Sequence, residues 1–397
     1  MAAIPQGLAP DAIELFFAQA QAGELNAPPS AYWLITNACN LRCEFCFGAF
    51  GKRAPDELTT EEIKTILKDF ARSGVASVGF LGGEPLLRRD IFEILDYTSD
   101  LGISPAIISN GTLLDRAKVR RLRSAGLEIF GTSIDGMSAA THDRLRGVAG
   151  ALERTKRAVQ WVVEERIRCN VRTVITAENA DEVPALFEWA LSVGVDEMIL
   201  LSEFPLGRGA GQTRDENWAK AQTAKEVYTK TLNTLRQIAR SDGIDVPPPF
   251  TYRHTGVLLS LTKTINVRSE LAFYESAALR GFQVCRGCVI GRYFISPQAN
   301  GDVYPCPFLP IRIGNLRTQR ISEIWRQSEL LQRVRKRDYS GPCGTCEIND
   351  VCGGCRARVY AITGDLYASD PLCPRVTAGL VGAMESPVEQ SVRCALV

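Results

Sequence analysis

Between Tyr32 and Leu201 the chain alternates two hydrophobic rhythms. Short apolar and β-branched runs at Tyr32–Thr36, Val75–Leu81, Ser104–Ser109, Ile129–Ile134, Asn170–Ile175 and Glu197–Leu201 predict strands. Between them, Thr60–Arg72, Arg89–Leu101, Leu114–Ala125, Ala151–Glu165 and Val183–Val193 repeat apolar residues at helical spacing. Such alternation with short connections predicts βαβ units and a parallel sheet. Six units predict an α/β fold, a partial (β/α)6 TIM-like barrel with its functional loops at the carboxyl ends of the strands.

After Leu201 the rhythm changes. Phe204–Gly211 reads as a loop, Glu216–Arg240 as a long helix, and Pro247–Phe250 as a break followed by a mixed segment. From Cys285 onward the signals are short and turn residues frequent, so a meagre apolar core cross-linked by metal is expected. The predicted organisation is an N-terminal extension (1–29), a barrel (30–210), a helical bridge (211–284), a cysteine-rich domain (285–376) and a loose tail (377–397).

The 397 residues are 45% hydrophobic and 23% charged, the balance of a folded rather than a disordered chain. Lys plus Arg number 46 against 45 Asp plus Glu; the net charge of +1 argues against broad capture of nucleic acid or of an anionic membrane. No run nears the roughly 18 apolar residues of a membrane span. Met1–Leu8 lacks the basic start and apolar run of a secretory signal. A cytoplasmic chain is therefore expected, where disulfides are disfavoured. Thirteen cysteines stand beside only two histidines, His142 and His254. Zinc sites would have to be nearly all thiolate, whereas iron–sulfur clusters are normally held by cysteine alone.

The segment Asn37-Ala-Cys39-Asn-Leu-Arg-Cys43-Glu-Phe-Cys46 follows the first strand directly. Three thiolates on one loop hold three irons of a cubane and leave the fourth open to a chelating ligand. A zinc knuckle with its fourth ligand elsewhere meets the same spacing. Later strand ends carry Gly82-Gly83-Glu84-Pro85, Ser109-Asn110-Gly111-Thr112 and Ser133-Ile134-Asp135-Gly136. The glycines admit close backbone approach, and Glu84 offers a charge to an ammonium group. Asn110, Ser133 and Asp135 serve equally well as helix N-caps. Arg172 faces either the barrel mouth or a surface ion pair, and His142 reads as a structural polar contact.

With Phe45 before the last cysteine and these tetrapeptides in this order, the chain resembles the radical S-adenosylmethionine enzymes. The resemblance implies that Cys39, Cys43 and Cys46 hold a 4Fe–4S cluster whose open iron binds S-adenosylmethionine. One electron then cleaves the sulfonium to a 5′-deoxyadenosyl radical. Cofactor contacts are implied at Phe45, Gly82, Gly83, Glu84, Pro85, Asn110, Ser133, Asp135 and Arg172.

Cys285-x2-Cys288, Cys306, Cys343-x2-Cys346-x5-Cys352-x2-Cys355 and Cys373 make eight thiols, enough for two four-cysteine sites. A zinc ribbon fits Cys343–Cys355 taken alone. Behind such a core the layout resembles a SPASM domain, and the resemblance spans residues 30–376. It implies two auxiliary 4Fe–4S clusters, one on Cys285, Cys288, Cys306 and Cys355, the other on Cys343, Cys346, Cys352 and Cys373. The chain departs from the family in the CxxC spacing of Cys352 and Cys355 and in the closeness of Cys285 to Cys288. Cys169 is expected to be a buried core thiol and Cys394 a bystander.

Members of the family oxidise or cross-link peptides, dehydrogenate small molecules or decarboxylate tetrapyrroles. They draw electrons from an external donor such as flavodoxin or ferredoxin. The stretch before Tyr32 is too short for a winged-helix leader-binding domain, and Pro307 stands where sulfatase-maturing members carry Asp. Val351–Tyr360, Asp370–Cys373 and Asn300–Cys306 are similar to the haem-pathway and quinone-cofactor branch, although Cys46–Phe50 differs from the haem enzymes. Arg356 and Arg358 pair with a carboxylated substrate or shield cluster charge. The expectation is a radical oxidoreductase that matures a peptide or cofactor precursor. The alternatives are a radical dehydrogenase or decarboxylase of a small natural-product intermediate, and a non-catalytic iron–sulfur or zinc scaffold.

Overall fold

The computed structural model describes residues 24–241, 256–260 and 288–373, apart from 348 and 351, together with 19 and 376. Cys285, Cys394, Pro247–Phe250, the tail 377–397 and most of the extension 1–29 lie outside the described residues. Six parallel strands neighbour one another in chain order: β1 (Ser30–Thr36), β2 (Ser77–Gly82), β3 (Ser104–Ile108), β4 (Ile129–Ser133), β5 (Arg168–Ile175) and β6 (Glu197–Ser202). Helices α1 (Thr60–Ser73), α2 (Ile91–Asp100), α3 (Arg116–Ser124), α4 (Ala139–Arg146), α5 (Ala151–Glu164) and α6 (Val183–Val193) fill the crossovers. This is the expected α/β partial barrel, and among the described residues its sheet does not close.

Local chemistry sets these elements. Thr59 caps α1 by accepting from Glu62 N, while the Glu62 carboxylate accepts from Thr59 N at 2.8 Å. Ile63, Ile66, Leu67 and Phe70 then face inward at helical spacing. Along the strands, Trp33, Val78, Phe130 and Val171 join the core beneath the helices. Alternation therefore turns Tyr32, Gly79, Gly131 and Arg172 to the inner face of the sheet.

Both edges of the six-stranded sheet are extended. β7 (Gly256–Ser260) pairs antiparallel with β6, and β8 (Phe294–Pro297) pairs parallel with β1. β9 (Asp302–Tyr304) and β10 (Gly314–Asn315) continue outward from β8 as an antiparallel ribbon. Trp33 Nε1 donates to Gln298 O at 3.3 Å, and Ser296 Oγ donates to Tyr32 O at 2.9 Å, locking the join.

The core expected to be meagre in the cysteine-rich region is not separate. Ile295, Val303, Trp325 and Leu331 belong to the same buried cluster as Trp33 and Phe80. Trp325, on α8 (Ile321–Gln327), donates its indole N–H to Leu25 O at 2.9 Å. The Arg335 guanidinium of α9 (Glu329–Arg335) sits 4.5 Å over its ring. α7 (Arg214–Ser241) leaves the barrel and packs Ala221 and Trp218 against Ile362 of α10 (Arg356–Thr363) and Leu372.

One shared core predicts one unfolding transition. Trp325→Ala should cost about 3–5 kcal/mol and move a single urea transition seen alike by fluorescence and circular dichroism. Two transitions, of which only one moves, would contradict the shared core.

Candidate active site

The stretch 37–54 after β1 has no helix or strand, yet it carries Cys39, Cys43 and Cys46. Its backbone is held from three sides. Buried Glu57 ties the ends together, accepting from Thr36 Oγ1 at 3.0 Å, Asn37 N at 2.8 Å and Ala54 N at 3.2 Å. Arg42 N and Glu44 N donate to the last carbonyls of α4, Arg146 O and Leu145 O, each at 3.0 Å. After β6, Arg208 donates from Nε to Cys43 O at 2.7 Å and from Nη1 to Phe50 O at 2.9 Å. Gly207 lies beneath Cys46 O and Phe47 O at φ 58°, where a Cβ would overlap both carbonyls.

The three thiols share one site. Burial pushes Cys39 up to about 11, with the charges of Glu84, Cys43 and Cys46 adding to it and the Leu41 N–H opposing it. Thiols become ligands only when a metal takes their protons' place. Among the described residues no three His, Cys, Asp or Glu side chains converge tightly enough for a single metal ion. A cubane spreads its thiolates wider, one to each iron, and three such donors on one loop fit it. Arg146 supplies further positive charge: Nη1 lies 3.6 Å from Cys43 Sγ, and the guanidinium sits 5.3 Å over the Phe45 ring.

The other predicted residues gather around this loop. Gly83 N donates to Thr36 O at 2.8 Å and Glu84 N to Ala38 O at 2.7 Å, and a Cβ on Gly83 would overlap Ala38 O. The Glu84 carboxylate has no exposed surface; it accepts from Leu86 N, Ser109 Oγ and Asn110 N at 3.0, 2.8 and 2.7 Å, capping the short turn that Pro85 begins. Burial raises it to about 7 against those bonds. Asn110 Nδ2 reaches the cysteine loop at Asn40 Oδ1, 2.9 Å away. Ser133 is the register partner of Arg172 on the inner face. Arg172 donates to Asn170 Oδ1 at 3.2 Å and makes no ion pair among the described residues, so the surface-pair alternative is set aside. The capping alternative also fails: Asp115 and Ser138 cap α3 and α4, not Asn110, Ser133 or Asp135.

The carboxylate of Asp135, expected at the cofactor, is wholly buried, ion-paired with Arg146 and accepting from Val174 N at 2.9 Å. His142 is the structural contact expected, its Nδ1 accepting from Asp135 N at 3.0 Å. Sequence reasoning missed Arg146 and Arg208; Arg146 stood unread in Thr141–Arg146, and Arg208 in the glycine-rich loop.

In the C-terminal region burial pushes Cys306 well up, with the charges of Cys288 and Cys355 adding to it. Asp370 links them to the other set. Its carboxylate accepts from Arg358 at 2.5 Å and Cys355 N at 3.1 Å, while Asp370 N donates to Cys343 Sγ at 3.3 Å and Asp370 O accepts from Cys373 N at 3.0 Å. Gly354 N donates to Cys352 Sγ at 3.5 Å, and Cys346 N to Cys343 O at 3.4 Å. Arg292, Arg337, Arg356 and Arg358 are all buried here, against one buried carboxylate, Asp370, among the described residues of the region. Buried cations in excess need buried anions, and thiolate-bound iron–sulfur clusters fit that need. Arg356 donates to Leu366 O and Ala368 O and Arg358 to Asp370, so both side chains are engaged within the region.

A partial parallel barrel with three thiols at its mouth and a second, arginine-lined cysteine group defines an iron–sulfur enzyme of radical type. Residues 33–190 match the radical SAM superfamily and residues 285–347 the SPASM iron–sulfur cluster-binding domain. The AdoMet-dependent heme synthase of Methanosarcina barkeri is 33% identical over 88% of this chain and 97% of its own. The PqqA peptide cyclase of Rhodopseudomonas palustris is 27% identical over 85% of each. Among solved structures, SuiB of Streptococcus suis bound to S-adenosylmethionine shares the fold with TM-score 0.64 at 18% identity, over 90% of this chain and 80% of its own. The chain belongs to the radical SAM superfamily, in the branch with a C-terminal SPASM domain. Its cofactors are a 4Fe–4S cluster with S-adenosylmethionine in the barrel and iron–sulfur clusters in the SPASM domain.

Two buried groups at the site give opposite pH signatures. Burial lowers His142 from 6.5 to about 4. Between those values the unfolded chain binds the proton and the folded chain does not, so stability falls as the pH drops. Glu84, raised from 4.5 to about 7, binds its proton in the folded state first and stabilises less as the pH rises through that range. His142→Gln should remove an acid-side loss on the order of 3 kcal/mol, read from urea midpoints at pH 4.5, 5.5 and 6.5. Parallel midpoints for wild type and variant would refute a buried neutral imidazole. Glu84→Gln keeps one oxygen for Leu86 N and Ser109 Oγ but turns an amide N–H toward the Asn110 N–H; a cost of roughly 1–3 kcal/mol is expected at pH 7, and an unchanged midpoint would show that the carboxylate is not so engaged.

Proposed function

We propose that the enzyme oxidatively modifies a carboxylated tetrapyrrole, decarboxylating it toward a haem-type cofactor. The observation that carries this is the 33% likeness to a heme synthase along 97% of that protein. When bound, the barrel cluster and S-adenosylmethionine supply a radical that removes a substrate hydrogen atom, and the auxiliary clusters take up the second electron. Cys39, Cys43 and Cys46 hold the open cluster. Gly82, Gly83 and Pro85 bring backbone groups to the methionine amino end, and Glu84 fixes that turn to the end of β3. Ser133 and Arg172, side by side on the inner face, receive the methionine carboxylate, and Asn110 orders the rim beneath the ribose. Phe45 flanks the cofactor, and Asp135 acts from behind through Arg146. Cys285, Cys288, Cys306 and Cys355 hold one auxiliary cluster, with Cys343, Cys346, Cys352 and Cys373 holding the other.

An external one-electron donor, of flavodoxin or ferredoxin type, and a reducing cytoplasmic setting complete this reading. No helix of the described residues is long and apolar enough to cross a membrane. A peptide substrate is the second reading, favoured by the likeness to a PqqA peptide cyclase.

Anaerobic reconstitution should load about twelve irons for three 4Fe–4S clusters, and dithionite with S-adenosylmethionine should release 5′-deoxyadenosine. Cys43→Ala should reduce that release to background; persistent cleavage would remove Cys43 from the site. An iron tetrapyrrole bearing propionate groups should lose carbon dioxide and two hydrogens for each 5′-deoxyadenosine formed. If its mass is unchanged while a candidate peptide loses two hydrogens, the peptide reading replaces this one.

A further inference from the structure

Arg146 has more contacts than closing a helix requires. It is 8% exposed, its carbonyl holds Arg42 N of the cysteine loop, and its side chain folds back between two partners. Nη1 points at Cys43 Sγ, 3.6 Å away, and Nη2 is paired with the Asp135 carboxylate. The guanidinium plane also covers Phe45. Asp135 is anchored in turn by Val174 N of β5. From α4, His142 faces this pair only through Nδ1 accepting from Asp135 N, so it is an uncharged bystander rather than a rival partner.

We propose that Arg146, held in place by Asp135, is a positioning residue that makes the barrel cluster easier to reduce. Adding an electron to a buried cluster adds negative charge to its ligand sulfurs. A guanidinium donating to one of those sulfurs stabilises the reduced state more than the oxidised one. Burial keeps that charge from being screened by solvent. The planar fork suits this position, because one nitrogen serves Asp135 and the other Cys43, which a lysine ammonium cannot do with the same geometry. Asp135 keeps the guanidinium from being an isolated buried charge before the cluster is loaded.

This rests on Cys39, Cys43 and Cys46 holding the cluster and is independent of the substrate. Wild type, Arg146→Gln, Arg146→Lys and the double variant Asp135→Asn/Arg146→Gln are reconstituted anaerobically and titrated with dithionite under electron paramagnetic resonance. S-adenosylmethionine and substrate are left out. The barrel-cluster signal is the one that Cys43→Ala removes; if Cys43→Ala removes none, the site assignment itself has failed. At full iron content the barrel midpoint should move to more negative potential in Arg146→Gln and in the double variant. It should return part of the way in Arg146→Lys, with the auxiliary midpoints unmoved. The double variant leaves no lone buried carboxylate, so it reads the effect even where the single variant folds poorly. An unmoved barrel midpoint, a shift shared equally by the auxiliary clusters, or loss of the barrel cluster from both variants would each overturn the tuning role.

Discussion

An irregular loop must hold three thiols still, and it cannot do so alone. The stretch 37–54 has no helix or strand of its own, so its backbone groups need partners from elsewhere. Those partners come from distant points of the chain. Glu57 binds its two ends, the last carbonyls of α4 take Arg42 N and Glu44 N, and Arg208 reaches Cys43 O and Phe50 O from beyond β6. The glycines follow from the same constraint: Gly83 and Gly207 sit where any Cβ would push a loop carbonyl out of place. The barrel thus works as a frame that converges on one loop, because parallel strands in chain order bring all their carboxyl ends to the same rim.

Charge imposes the second constraint, and it links folding to cofactor. The SPASM region buries Arg292, Arg337, Arg356 and Arg358 around cysteines while burying one carboxylate, Asp370, among its described residues. Burial beside Arg337 lowers Arg292 to about 10, the mark of a cation short of compensation. Protonated thiols do not relieve that shortage, and anionic clusters do. A region whose internal charge balances only after metal loading gains stability from the metal itself.

Much of this was legible from the chain. The six strand–helix units and the loops at their ends follow from hydrophobic period and turn chemistry, and the cysteine spacing marks both cysteine groups. Missing were the elements defined by tertiary pairing. β9 and β10 have three and two residues, too short for any period, and exist because β8 lies beside β1. The pairing of Asp135 with Arg146 was missed for a related reason. The position of Asp135 after β4 pointed to the rim, but the side chain's direction depends on Arg146 at the far end of α4, and no local pattern encodes that pair. Arg172 shows the converse, since strand parity alone left it ambiguous until Val171 and Cys169 were placed in the core.

The two cysteine groups meet through aromatic rings. Phe308 lies two residues beyond Cys306. Its ring stacks on Phe204 at 4.9 Å and packs edgewise on Phe47 at 4.7 Å, one residue beyond Cys46. Phe204 follows β6, so barrel, cysteine loop and SPASM region share one apolar junction. Rings suit this place because a polar bridge would draw water between two sites whose chemistry depends on excluding it. They also transmit position: packed rings have few alternative arrangements, so a shift of the SPASM region would displace Phe47 and with it the loop that carries Cys46. The continuous sheet from β10 to β7 and the shared core make such a shift costly. The spacing between the two cysteine groups is therefore a property of the fold rather than of a hinge.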